Sequence, residues 1–250
     1  MQTLVRNPIL RFDWRPAIRQ LPDDCLVAAI GDVHGHAGLL AAMHDAIKRE
    51  LDEIGPRHAT VIHLGDLIDR GPHNRAALRL ASAGMEGVRN ITLRGNHEDR
   101  FLAYIGGNAE AVGPWIDAGG DSMFREMELD PWRVTPQEFR DRFGEELALW
   151  LEATPFMHRI QQLVFVHAGI DPALPLDKQD PHTLMWTRRE WIDQPGPYPE
   201  GVAVIHGHIP RRTIDFRNQH RIDLDSGVAN WGVLSGLVIH GARMRLLQVS

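Results

Sequence analysis

Asp32, His34, Asp66, Asn96, His167 and His208 carry metal-binding donors, and each stands at or just past the end of a short apolar run. The runs are residues 25–30, 60–64, 91–93, 163–166 and 202–205. Asp32 and His34 are two residues apart, so an extended chain or turn can point both to one side. A carboxylate and an imidazole placed that way make a half-site for a divalent first-row metal. Alone, the pair says little, because Asp and His beside turns commonly cap backbone groups or face water. Asp66 adds a carboxylate whose two oxygens can bridge two ions. Asn96, His167 and His208 would complete the shell of a second ion through an amide oxygen and two imidazoles. Five runs ending in this way by coincidence is far less probable than any one of them.

Convergence of residues so far apart needs a scaffold. Short runs rich in Val, Ile and Leu read as strands buried on both faces, and an open α/β sheet presents the residues after its strands along one rim. Residues 37–51 carry Leu39, Leu40, Met43, Ile47 and Leu51 at helical spacing, which predicts an amphipathic crossover helix. Residues 75–83 predict a second helix, and the alternation of strand and helix predicts a parallel sheet covered by helices. Residues 98–153 show helical stretches at 101–104, 109–118 and 136–150 without a strand, a helical insertion expected to pack beside the site. Residues 156–160 and 163–167 predict a hairpin around Gln161 and Gln162. The short strands expected at 221–224, 235–239 and 244–249 read as more antiparallel than the first half. Residues 1–24, with Pro8, Pro16 and Pro22, are expected to form an N-terminal arm extended on the surface, ahead of one domain over 25–250.

Composition narrows the function classes. The 250 residues suffice for a sizeable core, and 43% hydrophobic with 24% charged residues is ordinary for a soluble globular protein. A net charge of -6 argues against a broad nucleic-acid-binding face, which needs a basic excess. Cys25 is the one cysteine, so no internal disulfide can form, and its apolar surroundings predict simple packing in a reducing compartment. Arg6, Arg11, Asp13 and Arg15 interrupt Met1–Pro16 and leave no signal-peptide core. No stretch approaches the roughly 20 apolar residues of a membrane span. The expectation is a cytoplasmic protein with neither a membrane nor a nucleic-acid partner.

Gly31-Asp32-Val33-His34-Gly35, Gly65-Asp66-Leu67-Ile68-Asp69-Arg70-Gly71 and Arg94-Gly95-Asn96-His97-Glu98 together resemble the motif set of PPP-type phosphoprotein phosphatases, within the calcineurin-like metallophosphoesterases. His167-Ala168-Gly169 and His206-Gly207-His208 follow in that family's order, so the resemblance covers about residues 26–208. It is nearest to the small bacterial and phage phosphatases and the related symmetrical diadenosine tetraphosphatases. The resemblance implies an α/β fold, a metallophosphoesterase-type mixed β-sheet sandwich flanked by helices, with a dinuclear metal site at the C-terminal ends of the strands. One ion would be held by Asp32, His34 and bridging Asp66, the other by Asp66, Asn96, His167 and His208. Two divalent ions ~3.5–4 Å apart can clamp phosphate oxygens and provide a bridging hydroxide for in-line attack. Mixed oxygen and nitrogen donors suit manganese first, with iron or zinc also compatible.

The same resemblance makes His97 the general acid, a role worth ~10²–10⁴ in rate, with Asp69 orienting it. Arg70, Asn96 and Arg188 would bind the substrate phosphate, with Arg189 as the competitor of Arg188. His206 is expected behind the ligands rather than on a metal, His36 at the entry to a helix, Asp225 in a structural role, and the tryptophans in packing. Two activities compete: a serine/threonine or dual-specificity protein phosphatase, acting on a phosphoprotein, phosphopeptide or small phosphoester, and a hydrolase of symmetrical diadenosine tetraphosphate or another nucleotide. A non-catalytic scaffold would be expected to have lost Asp32, Asp66, His97 or Arg70, and all four are present.

Overall fold

The computed structural model describes residues 8–250; the first seven residues of the expected arm, part of the stretch read as lacking a signal-peptide core, lie outside the described residues. The strands are β1 (Ile9–Arg11), β2 (Arg15–Pro16), β3 (Cys25–Ile30), β4 (His58–His63), β5 (Arg89–Thr92), β6 (Met157–Ile160), β7 (Leu163–Val166), β8 (Ala203–His206), β9 (Arg221–Asp223), β10 (Leu234–His240) and β11 (Arg243–Val249). They form two sheets. One has the order β1-β11-β10-β3-β4-β5 with β2 joined to β11; the other is β6-β7-β8-β9.

Strand periodicity explains the stacking. In β3, Leu26, Ala28 and Ile30 face the helices, while Val27 and Ala29 turn to the other sheet and meet Phe165 and Ile205. In β7, Leu163 and Phe165 fill that inter-sheet layer, and Val164 and Val166 join Trp191 and Tyr198 on the far side. Both faces are dry, which is why these strands read as unbroken apolar runs rather than alternating ones.

Helices α1 (Ala37–Ile54) and α2 (Asn74–Ala83) cover the outer face of the larger sheet. The insertion supplies α3 (Asn96–Ile105), α4 (Val112–Trp115), α5 (Asp121–Glu126), α6 (Pro136–Phe143) and α7 (Glu145–Glu152). Thr135 caps α6 in a capping box with Glu138, Pro136 occupies its first turn, and Gly144 at φ 108° splits the expected 136–150 stretch into α6 and α7. Short α8 (Pro181–Trp186), α9 (Arg189–Ile192) and α10 (Val228–Trp231) complete the set. No helix among the described residues is long and apolar enough to cross a membrane.

β3, β4 and β5 run parallel, and so do β7, β8 and β9. The hairpin of β6 with β7 is present, and β10 and β11 are antiparallel as expected. β9 departs from expectation: residues 207–220 form a crossover long enough for a parallel pair, and β9 takes that arrangement with β8. The expected surface arm is also more integrated. Ile9 pairs with Val249, Arg15 pairs with Met244, and Leu21 is buried between the sheets, so its described part closes a sheet edge.

Candidate metal centre

The two parallel trios end at a common rim. Asp32 and His34 follow β3, Asp66 follows β4, Asn96 and His97 open α3 after β5, His167 follows β7 and His208 follows β8. All seven are buried. The backbone there is unusual. Of the eight non-glycine residues with positive φ among those described, five are His34, Asp66, Asp69, Arg70 and His208. L-residues avoid that region, and such strain persists where surrounding contacts enforce it, characteristically at sites of function.

Two compact donor groups share one carboxylate. His34, Asp66 and His97 form the first and Asp66, His167 and His208 the second, with the atoms of each within 4.8 Å of one another. Nδ1 of His34 donates to the Ile68 carbonyl at 2.9 Å, and Nδ1 of His167 to the Leu64 carbonyl at 3.0 Å. A carbonyl can only accept, so each Nε2 is turned inward, the usual way a protein orients an imidazole toward a metal. Nε2 of His167 meets Asn96 Oδ1 at 3.0 Å and Asp66 Oδ1 at 3.4 Å. Nε2 of His208 is buried without any hydrogen-bond partner. An orphaned inward nitrogen among carboxylate and amide oxygens fits a divalent cation. Asp32 lies at the same rim but outside both groups, and its two oxygens each accept the His208 N–H at 3.2 Å.

Electrostatics lead to the same view. Burial, then the charges of Asp225 and Asp66, push the Asp32 carboxyl well above its ordinary range. Burial also works against Asp66, but the imidazoles of His167, His97 and His34 outweigh it and hold Asp66 ionised. Burial, with His167 beside it, takes His208 down to about 2, so it stays a neutral donor. Against burial, the charge of Asp66 raises His97 and His167, while burial lowers His34 and His208, so the site gathers buried carboxylates and imidazoles whose charges a bound cation would rebalance.

A sequence profile described as calcineurin-like phosphoesterase matches residues 26–234. The chain belongs to that family. Relatives bear both phosphatase and tetraphosphatase names. The chain is 27% identical over 205 residues to a serine/threonine-protein phosphatase 1 of Salmonella typhimurium, covering 79% of this chain and 85% of that one. It is 28% identical over 190 residues to a symmetrical bis(5'-nucleosyl)-tetraphosphatase of Paracidovorax citrulli, covering 74% of this chain but 58% of that protein's length. A solved structure of a putative diadenosine tetraphosphatase shares the fold at TM-score 0.62 and 21% identity, over 89% of this chain and 93% of that one. The cold-active protein-tyrosine phosphatase of a Shewanella species shares it at TM-score 0.58 and 18% identity, covering 91% and 81%.

Around the donor groups, the metallophosphoesterase carries a tight set of polar partners. Nδ1 of His97 lies 2.7 Å from Asp69 Oδ2, and Arg70 reaches Nε2 of His34 at 2.7 Å and Nε2 of His97 at 3.0 Å. Arg188 and Arg189 are both exposed, and the charge of Arg188 acts on His208. His206 donates through Nδ1 to the Gly207 carbonyl at 3.0 Å and accepts the Trp191 indole N–H at Nε2 at 3.3 Å, so neither nitrogen is spare for a metal. His36 precedes α1 as expected. Asp225 accepts the Gly227 N–H at 2.8 Å, and burial raises it to about 6.

Three partners escaped sequence reasoning. Trp115, expected in simple packing, donates its indole N–H to Asp69. Asn74 Oδ1 accepts the Asp69 N–H at 2.6 Å. Glu98, which with Asp69 and Arg70 favours a phosphatase on sequence grounds, accepts the backbone N–H groups of Asp66 at 2.8 Å, Leu67 at 2.7 Å and Gly95 at 2.9 Å, a role its motif does not announce. Only Glu98 left a trace in sequence: it stands three residues after Gly95, at the N3 position of α3, from which a glutamate can reach back to the N-cap amide.

Proposed function

We propose that this metallophosphoesterase is a two-metal phosphomonoesterase acting on phosphoserine and phosphothreonine, with phosphotyrosine as a further substrate of a dual-specificity site, and with manganese as its metal ahead of iron or zinc. Asp32, His34 and Asp66 would hold one ion and Asp66, Asn96, His167 and His208 the other. Bound there, divalent ions supply charge to phosphate oxygens and lower the pKa of a water. The chain's own part rests on one observation, the 2.7 Å contact of Asp69 with His97 beneath the Arg70 guanidinium. Against burial, Asp66 and Asp69 raise His97, and Asp69 holds its Nδ1–H, so the imidazolium presents its Nε2–H to the leaving oxygen and gives up that proton as the ester bond breaks. Arg70 grips phosphate oxygens through its fork, with Arg188 at the mouth as a second cationic contact. The coverage of 85% of the Salmonella phosphatase supports this substrate class.

Hydrolysis of symmetrical dinucleoside tetraphosphates is the second reading, favoured by the relatives bearing that name. The test is a panel on manganese-reconstituted protein: p-nitrophenyl phosphate, phosphoserine and phosphothreonine peptides, and diadenosine tetraphosphate. Turnover of the peptides without the dinucleotide supports the first reading. Symmetrical cleavage to two ADP molecules, with inert peptides, replaces it with the second.

A further inference from the structure

A cavity of ≈ 560 Å³ lies between α2 and the turn joining α6 to α7, among residues that take no part in the metal centre. Its size falls within the ~300–1,000 Å³ of small-molecule sites. Arg75, Arg79 and Ser82 are spaced four and three residues apart, so they share one face of α2. Arg142 approaches from the end of α6, and Phe143, Leu147 and Trp150 supply an apolar wall. Three arginines against the single carboxylate of Glu146 leave a local excess of two positive charges, in a chain whose net charge is -6.

These arginines are not spent on ion pairs. Arg140 on the same helix is pinned between Glu145 and Glu152. Arg79 and Arg142 have no salt-bridge partner among the described residues, while Nε of Arg75 is buried with no hydrogen-bond partner and its Nη2 makes only a 3.5 Å contact to the Phe143 carbonyl. A buried guanidinium nitrogen without an acceptor costs free energy that an anion in the cavity would recover. Forked donors converging from two helices suit a phosphate dianion, and an aromatic wall beside them suits a flat apolar group.

We propose that this cavity binds an organic phosphate with a flat apolar body, of nucleoside monophosphate size. The test is calorimetric titration of the metal-loaded full chain with the methylenephosphonate analogue of AMP, which cannot be hydrolysed at its C–P bond, and separately with inorganic phosphate. The analogue can also enter the metal centre, so Arg79→Glu/Arg142→Glu serves as the comparison. The wild-type protein is expected to show one binding event that this variant lacks, favouring the analogue over phosphate by about tenfold or more. Turnover of p-nitrophenyl phosphate should be equal in both proteins. Trp150→Phe should abolish the quench of indole emission that the analogue causes. Ser82→Trp fills the cavity without reversing charge and decides the matter if the double variant fails to fold. Identical isotherms in the wild type and in either folded variant, or equal affinity for analogue and phosphate, would overturn the proposal.

Discussion

The Asp69 carboxylate is 2.7 Å from Nδ1 of His97 through Oδ2, and the indole N–H of Trp115 donates to that same oxygen at 2.9 Å and to Oδ1 at 3.0 Å. Trp115 belongs to the helical insertion, so the orientation of His97 depends on that insertion as well as on its own motif. Trp115→Phe removes this donor while keeping most of the ring volume. Loss of a hydrogen bond to a charged group is worth about 1.5–3 kcal/mol, so kcat should fall by up to roughly tenfold to a hundredfold. KM for p-nitrophenyl phosphate should hold steady; a change in KM alone would place Trp115 in substrate binding.

His97→Ala should lower kcat by ~10²–10⁴ while the protein keeps its metal. Metal content by elemental analysis, measured beside turnover, separates the roles. His97 lies in one compact group with His34 and Asp66, so parallel loss of metal and turnover would make it a ligand.

Asp66 is common to both donor groups. Asp66→Asn halves the oxygen donors of that side chain and removes its charge, so both ions should bind more weakly and activity should fall. Chelation of the wild-type protein should abolish turnover, and added manganese should restore it. Undiminished activity in the variant would refute the bridging assignment.

Glu98→Ala strands the buried N–H groups of Asp66, Leu67 and Gly95. Each unpaired group costs ≈ 1–3 kcal/mol, so urea unfolding should report a loss of about 3 kcal/mol or more. Glu98→Gln keeps one acceptor and should recover part of it. A loss below about 1 kcal/mol in Glu98→Ala would show that water satisfies these amides.

Burial, then the neighbouring His44, depresses His63 to about 3, and burial takes His206 to about 3 as well. An unfolded imidazole protonates near pH 6.5. Both groups therefore favour the folded state fully above about pH 6.5, and that stability drains away as the pH falls toward 3, because the unfolded chain binds protons that the folded one refuses. The slope is at most about 1.4 kcal/mol per pH unit per group. His63→Gln should flatten the decline measured by urea unfolding between pH 7 and pH 5, and an unchanged slope would exclude His63 as a contributor.

Much of the fold was legible because its signals are local. Strands β3, β7 and β8 showed as apolar runs since both faces are buried, β4 and β5 showed through their buried C-terminal ends, and α1 showed through Leu40, Met43 and Ile47 on its packed side. The direction of β9 was not legible, because Arg221–Asp223 reads the same whichever way it lies against β8. The burial of Leu21 escaped notice for a similar reason: one leucine among prolines shows no period.

Read alone, the sequence determined which side chains carry metal-binding donors and that a strand end would deliver each of them, since residue type and chain spacing are covalent facts. Tertiary structure decided which imidazole nitrogen faces inward, that Asp32 stands outside both compact donor groups, and that Trp115 holds Asp69. Those outcomes depend on hydrogen bonds such as His167 to Leu64 and Glu98 to Leu67, between residues distant along the chain. No local pattern encodes such a contact; packing of the two sheets and the insertion creates it.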